Sequence, residues 1–448
     1  MKKRSVLLEI SAELIFFAII LAFSIKPVFN FDFWFHIKYG EYILATRSLP
    51  FTDVFSHTTF GQPAIPYEWL FQVLMYLLYH AFGTVGIQTL VLLLLLSYLL
   101  LFRQILKEIF RISLLPRLFL IATVCLLGFD FWVERPQSGA YVLFMAVLYL
   151  VLKRVFKKKN VLVFTLPIFI IWTNMHASIV LGLYLFAAFA LLSMLRYVKR
   201  HERDDLRLAK EFTLYGLINF VITLLPPLSY KVYQLLWLFF EKRTFITSTI
   251  DEWVPLTELS TRFYIYLVII ILCLFALFLA WRKKPSAGLI WFLPFLPLGL
   301  FVLSGVRQTA FTMPVILILA IPFLRSSKYS LPQIFRYVVF LLMLIASIYF
   351  LHLYQQVLSS IKRPYPVRAI PFIKENIRGN MFNELFLGGY LLYQLGPEYK
   401  TFIDGRTDMF LPIVFPEYTK LDTFPNDNDF YGYFRKLVKK YHVSWAII

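Results

Sequence analysis

The stretch "FDFWFHIKYGEYILATRSLPFTDVFSHTTFGQPAIPYEWL", residues 31–70, decides how the rest of the chain is read. An apolar run over 9–28, long enough to cross a bilayer, comes just before it. A turn of about three residues would join one membrane span to the next. Here a far longer connection carries Asp32, His36, Glu41, Asp53, His57 and Glu68 among aromatic side chains. Ionisable groups at the end of a span are costly, so this stretch reads as a folded cap with chemistry to perform at the membrane surface.

Working outward, composition fits a chain that faces lipid. Of 448 residues 59% are hydrophobic, against about 45–50% in soluble domains, and mean hydropathy is +0.69. The net charge of +19 would suit a nucleic-acid partner. Its Lys and Arg residues sit instead in short clusters between apolar runs, as the positive-inside rule requires, so no nucleic acid is expected. Cys125 and Cys273 both lie within apolar runs, which argues against a disulfide framework or a thiolate zinc site. The N-terminus lacks a small-residue cleavage site after its apolar core and reads as an uncleaved anchor.

Apolar runs fall at 9–28, 86–106, 117–133, 138–153, 160–175, 177–196, 211–227, 263–281, 286–304, 308–324 and 336–354. They predict an all-α polytopic membrane protein with eleven transmembrane helices, N-terminus inside and C-terminus outside, in the cytoplasmic (inner) membrane. Connections on the inner side hold 24 Lys and Arg, those on the outer side up to residue 354 only 9. The predicted domains are 1–354, including the outer loop 29–85, and an extracytoplasmic α/β lobe 355–448 that stops as if mid-domain. Within the loop, "YEWLFQVLMYLLYHAFG" predicts a helix lying at the interface and closed by Gly83 and Gly86. Within the lobe, the pattern predicts a helix after Asn383, a strand "KTFI" ending at Asp404-Gly405-Arg406, and a buried final strand "YHVSWAII".

The outer connections carry the candidate chemistry. Asp32 stands where bilayer gives way to water; partial exclusion of water raises a carboxylate pKa and suits a general base, while the plain alternative is an exposed loop acid. His36, four residues on, shares a helical face with it. The pair is a weak start for a divalent metal site, since spacing fixes no third ligand. Glu68 either favours the N-terminal dipole of the next helix or faces the cavity of Asp32. Asp53, after a Pro-led turn, reads as a cap of its own backbone. Glu134 and Arg135 form either a self-satisfied pair or an acid beside a phosphate clamp. Asn174, His176, Asp251, Glu252 and Arg307 are further polar groups near the outer surface, candidates for binding substrate. Span centres are almost free of charge, unlike those of a transporter. That favours chemistry on a lipid-linked substrate at the outer face.

The pieces "FDFWFHIKYGEYIL", "LPFTDVFSHTTFGQPAIPYEWLFQVLMYLL", "ERPQSGAYVLF", "IIWTNMHASIVLGL", "DEWVPL", "GVRQTAFTMPVILILAIPFL" and "NELFLGGYLLYQLGPEYKTFIDGRTDMF" occur in that order. As a set they resemble the GT-C superfamily of multi-span glycosyltransferases, which includes protein O-mannosyltransferases and lipid A aminoarabinose transferases, within an uncharacterised prokaryotic branch. The resemblance implies a polyprenyl-phosphate sugar donor and a lipid, glycan or protein acceptor. It implies Asp32 as catalytic base, Glu134 as a secondary acid, and Arg135 or Arg307 on the donor phosphate. His36, Glu68, Asn174, His176 and Glu252 would then line the substrate site. The chain departs from the superfamily pattern in having Phe33 after Asp32 and His176-Ala177-Ser178 where "HGG" is common. The alternative class is a non-catalytic carrier of lipid-linked sugar, or a cell-surface polymer assembly protein on the same scaffold.

Overall fold

The computed structural model describes residues 2–28, 30–255, 260–283, 289–322, 365–424 and 427–448. Most of them are helical. The expected span 336–354 lies outside the described residues, as do parts of 286–304 and 308–324.

α1 (Lys2–Phe23) leads to a short turn that starts α2 (Phe33–Thr46). There Asn30 Oδ1 accepts from the Asp32 N–H at 2.9 Å and the Asn30 carbonyl accepts from Phe33 at 3.1 Å. α2 ends where Arg47 takes a left-handed conformation, φ 51°. α3 (Trp69–Gln104) comprises two helical parts that meet at Gly83, whose φ of 59° and ψ of −148° are not helical, and the second part runs into a π turn at Ile105–Ile109. The first part ends at Gly83, where the sequence predicts a helix end, because glycine takes the positive φ at little cost; Gly86 lies inside the second part and closes nothing. Gly86 lies so close to the preceding turn that a Cβ would come within 2.6 Å of the Leu78 carbonyl. At 1.5 Å per residue the part after Gly83 reaches roughly 32 Å, close to the ~30 Å of a hydrocarbon core.

α4 (Leu114–Leu127), α5 (Pro136–Lys157), α6 (Thr165–Thr173), α7 (Val180–Arg200) and α8 (Arg203–Thr223) follow. Then come α9 (Lys231–Glu241), α10 (Arg243–Thr249), α11 (Ser260–Lys283), α12 (Phe295–Leu300) and α13 (Thr309–Leu319). Among the described residues three helical stretches are long and apolar enough to cross a membrane: Trp69–Ile109, Pro136–Lys157 and Ala177–Arg200. One apolar core joins α3 to α7, α12 and α13, with Tyr98, Tyr141, Phe144, Phe169 and Trp172 fully buried. Close packing needs missing side chains in places: at Gly182 a Cβ would come within 2.8 Å of Phe169 and 2.9 Å of Trp172.

At one end of the bundle, buried charges are paired. Arg117 bonds Glu13 at 2.7 Å and Glu9 at 2.5 Å, Arg103 also reaches Glu13, Arg154 meets Glu211 at 2.6 Å and Arg196 meets Asp205 at 3.0 Å. Charges this deep persist only when compensated. α3 and α5 run from this end to the other, where residues 68 and 135 stand.

At that other end the C-terminal residues form a small α/β lobe. β1 (Asn380–Asn383) pairs in parallel with β2 (Val443–Ile447), flanked by α14 (Ala369–Asn376), α15 (Leu385–Leu395) and α16 (Asp427–Lys440). Two local expectations need correcting. "KTFI" is no strand; Thr401 makes a single parallel bridge with Ser56. β2 alternates half-buried and exposed residues, because a two-stranded sheet leaves one face to solvent. The outer loop after α2 is stitched into this lobe. His57 N–H donates to the Thr401 carbonyl at 3.0 Å, Thr401 N–H to Phe55 at 3.1 Å, and Thr58 Oγ1 to Phe402 at 2.6 Å. α15 lies against α2 because Gly388 and Gly389 carry no side chain: a Cβ at 388 would overlap the Ile403 carbonyl, and one at 389 would lie 2.8 Å from the Phe31 carbonyl.

Candidate active site

A cavity of about 360 Å³ opens where five pieces of chain meet: the start of α2, the loop entering α3, the start of α5, the segment 249–253 and the turn Val306–Gln308, roofed by residues 405–409 of the lobe. Asp32, His36, Glu68, Arg135, Glu252 and Arg307 all line it. Six groups that are far apart in sequence, all singled out from the sequence, thus converge on one space.

Arg135 is the hub. Pro136 occupies the first turn of α5, where its missing N–H costs nothing, and the extended Arg135 just before it turns its guanidinium toward the cavity. Nη2 bonds Asp32 Oδ2 at 2.5 Å, and Nη1 bonds both Glu252 oxygens at 2.5 and 2.6 Å. Arg307 lies 3.9 Å from Glu252 Oε2, stacks over Trp253 at 5.4 Å, and donates from Nε to Gln137. Among the described residues, Asp32 Oδ1 and Arg135 Nε are buried polar atoms without a hydrogen-bond partner. Such atoms are rare in native interiors, where a protein group or an ordered water normally meets them.

The carboxylates differ in character. Burial pushes Asp32 up to about 6 despite Arg135 beside it. Burial also pushes Glu68 up to about 8, so it is protonated near neutrality. Burial acts on Glu252 too, but Arg135 and Arg307 outweigh it and hold that group below the ordinary range. Burial and the two guanidiniums keep His36 well below its ordinary value, hence neutral. Glu68 Oε2 lies 3.9 Å from His36 Nδ1, and with both groups uncharged this contact is not an ion pair. Gln72 Nε2 meets the same nitrogen at 3.2 Å.

Four candidates lie elsewhere. Glu134 is buried outside the cavity and accepts from the Asn30 N–H at 2.6 Å, bracing the turn before α2. Asn174 accepts from Trp69 Nε1 at 2.9 Å and donates to the Ile170 carbonyl at 2.8 Å, tying α6 to the start of α3. His176 accepts from the Ser178 N–H at 3.1 Å and caps the turn Ala177–Ile179. Asp251 begins the turn Asp251–Trp253 that carries Glu252.

Asp53 takes a part its turn position did not foretell. It is buried, accepting from the Phe55 N–H at 3.0 Å, from Thr59 at 2.7 Å and from Ser56. It also binds Arg406 at 2.6 Å, and Arg406 in turn holds Asp404 through two further bonds of 2.6 and 2.7 Å. Arg406, Asp408 and Tyr67 complete the cavity wall. Burial pushes Asp408 up to about 6. Sequence reasoning noted Asp404-Gly405-Arg406 only as the end of a strand; its partner Asp53 lies 353 positions away, a pairing no local pattern reveals.

A metal does not fit these donors. Asp32 Oδ2 is taken by a guanidinium, His36 Nδ1 faces Gln72, and among the described residues no group of three His, Cys, Asp or Glu side chains is placed to hold an ion.

Comparison with known proteins locates the architecture. No protein-family model and no curated protein sequence matches the chain. Among solved structures it is similar to the archaeal oligosaccharyltransferase AglB from Archaeoglobus fulgidus, in complex with an inhibitory peptide and a dolichol-phosphate. The TM-score is 0.59 at 12% identity, covering 86% of this chain and 64% of that one. The chain thus spans under two thirds of that neighbour's length. The likeness establishes a GT-C-like fold.

Proposed function

We propose that this chain is an integral-membrane glycosyltransferase that moves a sugar from a polyprenyl-phosphate donor to a lipid, glycan or protein acceptor. The reaction takes place at the extracytoplasmic face of the cytoplasmic membrane, with eleven spans, N-terminus inside and C-terminus outside. The observation that carries this reading is a buried carboxylate facing two guanidiniums in one cavity at the end of a helical bundle. A general base needs to be partly dry, and a leaving phosphate needs fixed positive charge. The neighbour's complex with a dolichol-phosphate and a peptide supports the same kinds of substrate.

In this reading the donor phosphate takes up the free Arg135 Nε and the exposed side of Arg307, competing with Asp32 Oδ2 and Glu252 for their present bonds. Asp32, held in place beside Arg135, accepts the proton of the acceptor hydroxyl. The acceptor oxygen then forms its bond to the anomeric carbon as the bond from that carbon to the phosphate oxygen breaks. The electron pair leaves on the phosphate, where the two guanidiniums meet the added charge. A single displacement inverts the anomeric configuration. Protonated Glu68 and neutral His36 and Gln72 supply uncharged hydrogen-bonding groups to the sugar. No step passes through a metal.

The test uses a host lacking the gene, complemented with wild type, Asp32→Asn or Arg307→Ala, with cell-surface glycans profiled by mass spectrometry. Asp32→Asn should reproduce the empty-host profile. A wild-type profile from Asp32→Asn refutes the catalytic role.

A further inference from the structure

We propose that the turn Asp404-Gly405-Arg406 is a positioning element for Asp32, holding its carboxylate on Arg135 and keeping water from its second oxygen. This rests on the catalytic reading of Asp32 but concerns different residues.

The first observation is steric. Gly405 abuts the Asp32 side chain so closely that a Cβ would overlap Oδ1 and lie 2.8 Å from Phe35 and 2.9 Å from Asp32 Cγ. Gly405 does not have a positive φ, so its backbone is one any residue adopts. Space alone reserves the position for glycine. The oxygen it covers is Oδ1, the buried acceptor without a partner.

The second observation is that the turn itself is fixed. Arg406 spends its donors on Asp404, Asp53 and, at 3.2 Å, the Tyr39 hydroxyl, while Thr401 Oγ1 donates to Asp404 at 3.0 Å. Asp404 and Arg406 are 0% and 4% exposed. A bidentate guanidinium–carboxylate pair sets angle as well as distance. Gly388 lets α15 press on the same turn from behind. The lobe therefore fixes the turn from two sides, and the turn limits where Asp32 can go. Of the charged groups acting on Asp32, only Arg135 touches it; Glu252, Arg307 and Asp404 act through space.

Gly405→Ala should force the carboxylate away from Arg135 and open Oδ1 to water. Burial, which raises the Asp32 pKa, and Arg135, which lowers it, are the two largest influences on the group, and the substitution disturbs both, so its midpoint should leave about 6. The full-length protein in detergent is titrated by infrared spectroscopy, subtracting the Asp32→Asn form of each variant to isolate this one carboxyl. Thermal unfolding runs in parallel, with Gly432→Ala, where a Cβ meets nothing, as control. Arg406→Lys keeps the charge but loses the fork, and it carries the test if Gly405→Ala fails to fold. A displaced midpoint in either variant, absent in Gly432→Ala, supports the proposal, and an unmoved midpoint in a folded variant overturns it. If the midpoint moves while wild type and Asp32→Asn give the same glycan profile, the transfer reading fails and the positioning role stands.

Discussion

Replacing Arg406 by Met tests the junction of loop and lobe by stability alone, without any substrate. Methionine keeps much of the volume and removes the cation from between Asp53 and Asp404, which are 1% and 0% exposed. Four hydrogen bonds from the guanidinium disappear. Removing one partner of a buried ion pair costs about 3–5 kcal/mol, because the remaining charge is neither paired nor hydrated. Against a total stability of about 5–15 kcal/mol that is a large fraction, and it should lower the unfolding midpoint by about 3–5 °C. The sign with pH is fixed by Asp53. In the wild type burial acts to raise its pKa, but Arg406, with the Ser56 and Phe55 bonds, holds it below the ordinary range. Its contribution is therefore present above the unfolded pKa and lost as pH falls through the folded one. In Arg406→Met only burial and the remaining hydrogen bonds act. The folded pKa then rises above the unfolded one, and the penalty is relieved on acidification. Scanning fluorimetry in detergent from about pH 8 down to about pH 5 should show the gap between variant and wild type narrowing. An unchanged midpoint at pH 8, or a gap that widens toward acid, would refute the assignment of Arg406 as the keystone of this junction.

Transfer catalysed by Asp32 needs its ionised form, so its rate should rise with pH through about 6 and gain roughly tenfold from one pH unit below to one above; a flat profile counts against a base there. Gly40→Ala should separate α2 from α3, since a Cβ there would overlap the Gln72 carbonyl and lie 2.6 Å from Tyr76 Cβ; lowered thermal stability together with a displaced Asp32 infrared band is the expected readout. At the far end of the bundle, Arg117→Met leaves Glu13 to Arg103 alone and should destabilise by about 3–5 kcal/mol while leaving the Asp32 titration unchanged, checked by thermal unfolding and infrared spectroscopy.

The local features of the site were legible because each rests on short-range rules. Polar groups at the ends of apolar runs pointed to Asp32, Arg135, Glu252 and Arg307, and these do share a cavity. Asn174 and His176 carried the same signal but serve hydrogen bonds inside their own turn and to Trp69, which composition cannot distinguish from a substrate contact. Gly83 read as a stop because glycine after an apolar run often is one, and the helix does break there, at a positive φ that glycine adopts at little cost. The Asp53–Arg406 bond and the fit of Gly405 to Asp32 depend on contacts between distant segments. No periodicity in a single sequence encodes them.

That separation has a consequence for biogenesis. A chain threaded into the membrane as it is made exposes Asp32 and the outer loop early, yet the residues that cover Asp32 lie more than 370 positions later. At a synthesis rate of about 5–20 residues per second, the loop waits roughly 20–75 seconds for its other half. During that interval Asp53 has no arginine and the aromatic face of α2 has no α15 to cover it. The cavity around Asp32 therefore gains its roof only after the segment that carries Gly405 and Arg406 has been made.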